Sequence, residues 1–119
     1  MRRQIRLTTT GRSSGKAREV TLYAFDDDRR LVIVGSRGGA AKDPAWAENL
    51  RSDGRATVRQ GRETHDVQAR EADGSERARL WDLVCTEFPM YATYQRRTKR
   101  AIPLFVLEPI GAADHARPR

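Results

Sequence analysis

The residues best placed to do chemistry lie in one stretch, Val34-Gly35-Ser36-Arg37-Gly38-Gly39-Ala40-Ala41-Lys42-Asp43-Pro44-Ala45-Trp46-Ala47-Glu48-Asn49. Glycine has no Cβ, so at Gly38 and Gly39 backbone amides can turn inward. Successive amides beside a helix N-terminus form a concavity that attracts negative charge. Arg37 and Lys42 flank it. A second cationic loop, Gly11-Arg12-Ser13-Ser14-Gly15-Lys16, leads on to Arg18 with no acid between. Its spacing does not match the nucleotide phosphate loop, and no Ser or Thr follows the lysine. Five of the eight aromatic residues, Tyr23, Trp46, Phe88, Tyr91 and Tyr94, fall near these loops or just after a long helix. They suit either core packing or a pocket for a flat ring system. The residues thus point to a basic site for a flat, anionic ligand.

Other chemistry is weakly supported. His65 and His115 are the only histidines, and no pair has metal-ligand spacing, so no metal site is expected. Cys85, the single cysteine, falls on an apolar helix face and reads as packing. It cannot form an internal disulfide, which suits a reducing cytoplasm. The carboxylates are scattered through turns without an obvious acid–base pair.

Leu31–Val34 is a short β-branched run that reads as a buried strand entering the glycine loop. Asp43-Pro44 reads as a helix start, with Asp as N-cap and Pro at the first helical position. Trp46 and Leu50 then share one face of a helix over 45–51. Strands are expected over 5–10, 19–25, 31–36, 56–59, 63–70 and 102–107. Pro103 puts the last one at an edge or a strand start. Asp73-Gly74-Ser75-Glu76 has the pattern of a capping box. The helix after it presents Leu80, Trp81, Val84, Cys85 and Phe88 at helical spacing. A short helix or turn carries Tyr91 and Tyr94. Residues 1–110 read as a single domain, and 111–119 as a flexible tail. Hairpins dominate and no regular strand–helix alternation appears. The expected class is therefore mainly β with inserted helices, an antiparallel barrel or curled sheet, and not a doubly wound α/β fold.

The 119 residues suffice for one core. A net charge of +7 calls for an acidic partner: nucleic acid, anionic lipid or a multiply charged small molecule. No apolar run approaches the roughly 20 residues of a membrane span, and no signal-peptide core is present.

Leu7-Thr8-Thr9-Thr10-Gly11-Arg12, Ser14-Gly15 and Arg18 form the first block of a longer pattern. Gly35-Ser36-Arg37-Gly38-Gly39-Ala40, Lys42-Asp43-Pro44, Trp46 and Asn49-Leu50 form the second. Phe88-Pro89, Tyr91, Tyr94-Gln95, Ile102-Pro103 and Leu107-Glu108-Pro109 complete it. Together these stretches resemble the deazaflavin-dependent nitroreductase family, which uses coenzyme F420. The resemblance implies a split β-barrel. It implies an F420H2-dependent oxidoreductase that passes a hydride to an electron-poor acceptor, a quinone or nitro-compound. It implies that Arg12, Ser13, Ser14, Arg18, Glu19 and Val20 hold the cofactor's phosphate and linker, with Lys16 toward its polyglutamate tail. Val34, Gly35, Ser36, Arg37 and the segment Ala45, Trp46, Ala47, Glu48, Asn49 would line the ring. Amides of Gly38 and Gly39 would face the ring's pyrimidine side. Tyr91 would lie over the reacting face, with Tyr23 and Tyr94 nearby and Ser36 or a tyrosine hydroxyl stabilising the reduced acceptor.

Members that activate nitro-drugs carry Tyr at the positions of Phe88 and Ala47 and Lys at that of Arg37, which implies an altered acceptor site. Many relatives carry an N-terminal extension linked to membrane association, whereas this sequence opens at the first strand. The expected setting is cytoplasmic, with peripheral contact at the inner membrane face left open, as monomer or homodimer, and no nucleic-acid partner is expected. The alternatives are an F420-binding protein with little turnover, a basic nucleic-acid-binding barrel, and a flavin mononucleotide enzyme on a related barrel.

Overall fold

The computed structural model describes residues 2–110. Six strands follow in chain order: β1 (Arg2–Thr10), β2 (Ala17–Asp27), β3 (Arg30–Val34), β4 (Arg55–Gln60), β5 (Glu63–Glu71) and β6 (Leu104–Pro109). Helix α1 (Ala45–Ser52) lies between β3 and β4, and α2 (Gly74–Glu87) and α3 (Met90–Arg96) lie between β5 and β6. Neighbours around the sheet run β1-β2-β3-β6-β5-β4, and β4 pairs back onto β1 to close a barrel. Every pair is antiparallel. This is the expected antiparallel barrel with inserted helices. The expected tail over 111–119 lies outside the described residues. No helix among the described residues is long and apolar enough to cross a membrane.

The period-two alternation of strands sorts side chains into two cores. Ile5, Leu7, Ala24, Ile33, Val58, Val67, Phe105 and Leu107 fill the barrel, and Trp46, Ala47 and Leu50 of α1 pack with them. Phe25, Val32, Val34, Leu104 and Val106 point outward against Leu80 and Val84 of α2 and Tyr91 of α3. Strand β6 is therefore covered on both faces, which explains its unbroken apolar run of Leu104 to Leu107. Each fully buried Leu, Ile or Phe contributes about 1.5–3 kcal/mol relative to exposure.

Two local expectations are corrected and a third is narrowed. Helix α1 begins after Pro44, which occupies the N-cap position, and Asp43 caps nothing. Its carboxylate takes ion pairs from Arg100 at 2.6 Å and Arg51 at 2.7 Å, and charge-assisted bonds of this kind are stronger than a neutral cap bond. Asp73 stands at the N-cap of α2 but makes no side-chain cap bond. Glu76 turns instead to Arg70 at 2.6 Å and Arg30 at 3.4 Å, so no capping box forms. Of the two places expected for Pro103 the strand start holds: it immediately precedes β6, which pairs with β3 and β5 and is not an edge. The Pro103 carbonyl accepts the Gly35 N–H at 2.8 Å.

Candidate functional site

A cleft of about 1280 Å³ opens between the β1–β2 turn, the loop after β3, the start of α1 and helix α3. The β1–β2 turn brings Arg12, Ser13, Ser14 and Arg18 to it, and Tyr23, Phe88, Tyr91 and Tyr94 form an aromatic end; Arg37, whose loop packs on α3, and Lys42 also line it.

The glycine loop is a left-handed turn. Arg37, Gly38 and Gly39 have φ of 46°, 63° and 84°. Glycine adopts this region freely, but at Arg37 it costs about 1–2 kcal/mol. The Gly39 N–H donates to the Ser36 carbonyl at 2.8 Å and the Ala40 N–H to the Arg37 carbonyl at 3.1 Å. The amide of Gly39 is thus engaged within the turn and is not offered to a ligand, contrary to expectation. Gly39 has another duty. A Cβ there would stand 2.7 Å from the Tyr94 carbonyl oxygen and 2.9 Å from the Arg97 Cβ, so its absence lets α3 lie against the loop. That approach brings Tyr91 and Tyr94 to the cleft. Gly35 is likewise a packing position, where a Cβ would stand 2.8 Å from Pro103 Cγ.

Arg100 holds the loop from the segment between α3 and β6. Its guanidinium donates to the carbonyls of Ala40 at 2.8 Å, Gly35 at 3.1 Å and Ser36 at 2.8 Å, and to Asp43 Oδ1 at 2.6 Å. Gln95 ties the same segment by donating to the Arg100 carbonyl at 2.7 Å and accepting the Ile102 N–H at 2.9 Å.

Asn49 joins α1 to the cationic turn. It is buried, donates to Thr9 Oγ1 at 3.1 Å and accepts the Arg12 N–H at 3.1 Å. At the aromatic end, Tyr91 packs edge-on to Phe25, Phe88 and Tyr94, with centroids 5.8, 4.8 and 6.3 Å away. Burial pushes its hydroxyl up to about 12, so the phenol stays protonated beyond the ordinary tyrosine range. The Arg2 guanidinium lies 4.8 Å from the Tyr23 ring centroid and 5.4 Å from that of Phe88, a cation–π bridge across this end.

Of the residues expected at the cofactor, Arg12, Ser13, Ser14, Arg18, Glu19, Val20, Val34, Ser36, Arg37, Gly38, Ala45, Trp46, Glu48, Asn49 and Tyr91 all line the cleft. So do Tyr23 and Tyr94, named for the reacting face. Lys16, Gly35, Gly39 and Ala47 stand outside the lining. Lys16 is exposed on the far limb of the turn, and its N–H donates to Ser14 Oγ at 3.1 Å. Ala47 is fully buried in the barrel core, so its small side chain opens no space in the cleft. Leu22 and Arg100 line the cleft and were not anticipated. Leu22 follows from the alternation of β2; no sequence pattern marked Arg100.

The donor set suits a flat polyanion. Arg12, Arg18, Arg37 and Lys42 of the lining form no ion pair among the described residues, whereas Arg100 does. Four cations of the cleft are therefore open to a ligand's negative charge, in the same cleft as an aromatic wall. The fold and cleft are those of a β-barrel suited to a flat, anionic cofactor.

The comparisons with known proteins agree. A profile of the F420H(2)-dependent quinone reductase family matches residues 1–109. An F420H(2)-dependent quinone reductase of Mycobacterium tuberculosis is 36% identical over 105 residues, 85% of this chain and 70% of that one. A solved F420-H2 dependent reductase, FDR-A, superposes with a TM-score of 0.80 at 38% identity, covering 88% of this chain and 93% of its own. HutZ, a heme storage protein of Vibrio cholerae, covers 90% of this chain and 81% of its own at 13% identity and a TM-score of 0.64, and shares the fold alone. The chain belongs to the F420H(2)-dependent quinone reductase family. It is an oxidoreductase whose hydride donor is reduced coenzyme F420 and whose acceptor is of the quinone kind.

Proposed function

We propose that the cleft holds coenzyme F420 with its charged arm on the β1–β2 turn and its ring against the glycine loop and α1. Residues 1–110 are the working unit. The meeting of Arg12, Arg18, Arg37 and Lys42, none of them ion-paired, with an aromatic wall in one cleft carries this reading. Arg12 and Arg18, with Ser13 and Ser14, suit a phosphodiester, because guanidinium and hydroxyl groups donate to its oxygens. Glu19 and Val20 flank the linker, and Lys16 meets the tail beyond the cleft. Val34, Ser36, Arg37, Gly38, Ala45, Trp46, Glu48 and Asn49 border the ring.

When bound, the reduced deazaflavin supplies the hydride. The protein orients the acceptor and steadies the charge that develops on it. Tyr91 donates a hydrogen bond to the acceptor's oxygen from a phenol that burial keeps neutral, and Ser36 is the second donor. Tyr23 and Tyr94 frame the acceptor. Phe88 offers apolar contact at 4.8 Å from the Tyr91 ring and no proton, which favours apolar quinones over nitro-compounds. A reducing, cytoplasmic setting suits the lone Cys85. Anaerobic oxidation of F420H2 by menadione, followed at the coenzyme's absorbance, tests the reading. Saturable, enzyme-dependent turnover is expected. Binding of F420 without turnover would establish the storage alternative.

A further inference from the structure

We infer that Arg100 is the positioning residue that sets the glycine loop for the cofactor. The inference rests on the reading that this loop borders F420. Arg100 comes from the segment between α3 and β6, yet its four acceptors belong to the loop that leads from β3 into α1. Three of them are backbone carbonyls, of Gly35, Ser36 and Ala40. In a planar trans peptide the N–H points opposite to the C=O. With these carbonyls turned to Arg100, the N–H groups of Ser36, Arg37 and Ala41 point away from it. All three residues line the cleft, as does Arg100 itself.

The loop needs such a hold. Arg37 sits at a φ of 46°, a conformation that persists in a non-glycine residue only where its surroundings impose it. Arg100 grips the peptide that precedes it, at the Ser36 carbonyl, and the end of the turn three residues on, at the Ala40 carbonyl. Asp43 anchors the guanidinium in turn, and its other oxygen binds Arg51, which also pairs with Glu71 of β5 at 2.8 Å. A planar fork of five donors can serve these divergent acceptors together; an ammonium cannot.

Arg100→Lys tests this directly. In cofactor-free protein the amide resonances of Ser36, Arg37 and Gly38 are expected to shift, while far-UV circular dichroism stays that of the parent. The F420 dissociation constant is expected to rise at least tenfold, with KM for menadione within twofold at saturating F420H2. In Arg100→Ala, added guanidinium ion is expected to restore part of the affinity. Should either variant fail to fold, Asp43→Asn, which removes only the anchor's charge, is expected to move the same amides and weaken F420 about threefold. A fall in affinity with unmoved loop amides would mean that Arg100 acts by touching the cofactor, and the positioning role would be overturned. Unmoved amides with unchanged affinity would overturn it as well. Shifted amides with unchanged affinity would instead overturn the reading that the loop holds the cofactor.

Discussion

Asn49 accepts the backbone N–H of Arg12 at 3.1 Å, across a separation of 37 residues. The same side chain donates to Thr9 at 3.1 Å, so one buried amide fixes the cationic turn to α1. Asn49→Ala leaves a buried Thr9 hydroxyl and the Arg12 amide without their partner. We expect a loss of about 1–3 kcal/mol in urea unfolding. We also expect F420 affinity to fall several-fold, because Arg12 is no longer held in place. A stability loss with unchanged affinity would show that Asn49 does not position Arg12 for the cofactor.

Tyr91→Phe removes the proposed donor and keeps the ring packing against Phe88 and Phe25. The expected result is a fall in kcat with menadione of roughly 10²-fold, with F420 affinity little changed. Since burial raises the hydroxyl to about 12, it stays protonated well into the alkaline range, and Tyr91 should produce no alkaline limb in the pH–rate profile below about pH 10. An unchanged kcat in the variant would remove Tyr91 from the reaction.

Arg37→Gly separates conformation from charge. Relief of the left-handed residue, about 1–2 kcal/mol, is offset by the chain entropy of glycine, about 0.5–1 kcal/mol. Stability measured by Tm should therefore hold or rise slightly, while the F420 dissociation constant rises about tenfold from loss of the unpaired guanidinium. An undiminished affinity would mean that Arg37 does not meet the cofactor's charge.

Asp27 predicts an acid transition. The hydrogen bond from Arg79 and that from Arg30, working against desolvation, hold its carboxyl down to about 2. A depressed carboxyl pKa contributes stability that is present above the unfolded value, near 4, and is lost as pH falls toward 2. Asp27→Asn should lower stability at pH 7 and flatten that acid limb in thermal melts taken from about pH 5 to pH 2. Parallel curves for the two proteins would contradict the assignment.

Elements that rest on local pattern were legible in the sequence. The apolar run Leu104 to Leu107, the turn at the glycines after Val34 and the short helical segment that carries Tyr91 and Tyr94 were readable from residue type and spacing. Asp43 misled because Asp-Pro before a helix satisfies a local rule, and an ion pair with Arg100, 57 residues away, overrode it. Arg100 was illegible for a related reason. It follows Arg96, Arg97 and Lys99 in a basic run of the sequence, and three of its acceptors are backbone carbonyls, which no side-chain type announces. Gly35 and Gly39 read as ligand-facing glycines, but they are glycine because Pro103 and α3 press on them.

The most direct test of the account is a fluorescence titration of oxidised F420 with the parent protein and with Arg12→Ala/Arg18→Ala, with flavin mononucleotide in parallel. Saturable binding of F420 by the parent is predicted, with at least tenfold weaker binding by the double variant and none of flavin mononucleotide by either. Equal F420 affinity in parent and double variant would contradict the placement of the cofactor's charged arm on the β1–β2 turn, and absence of F420 binding at low salt would contradict the site altogether.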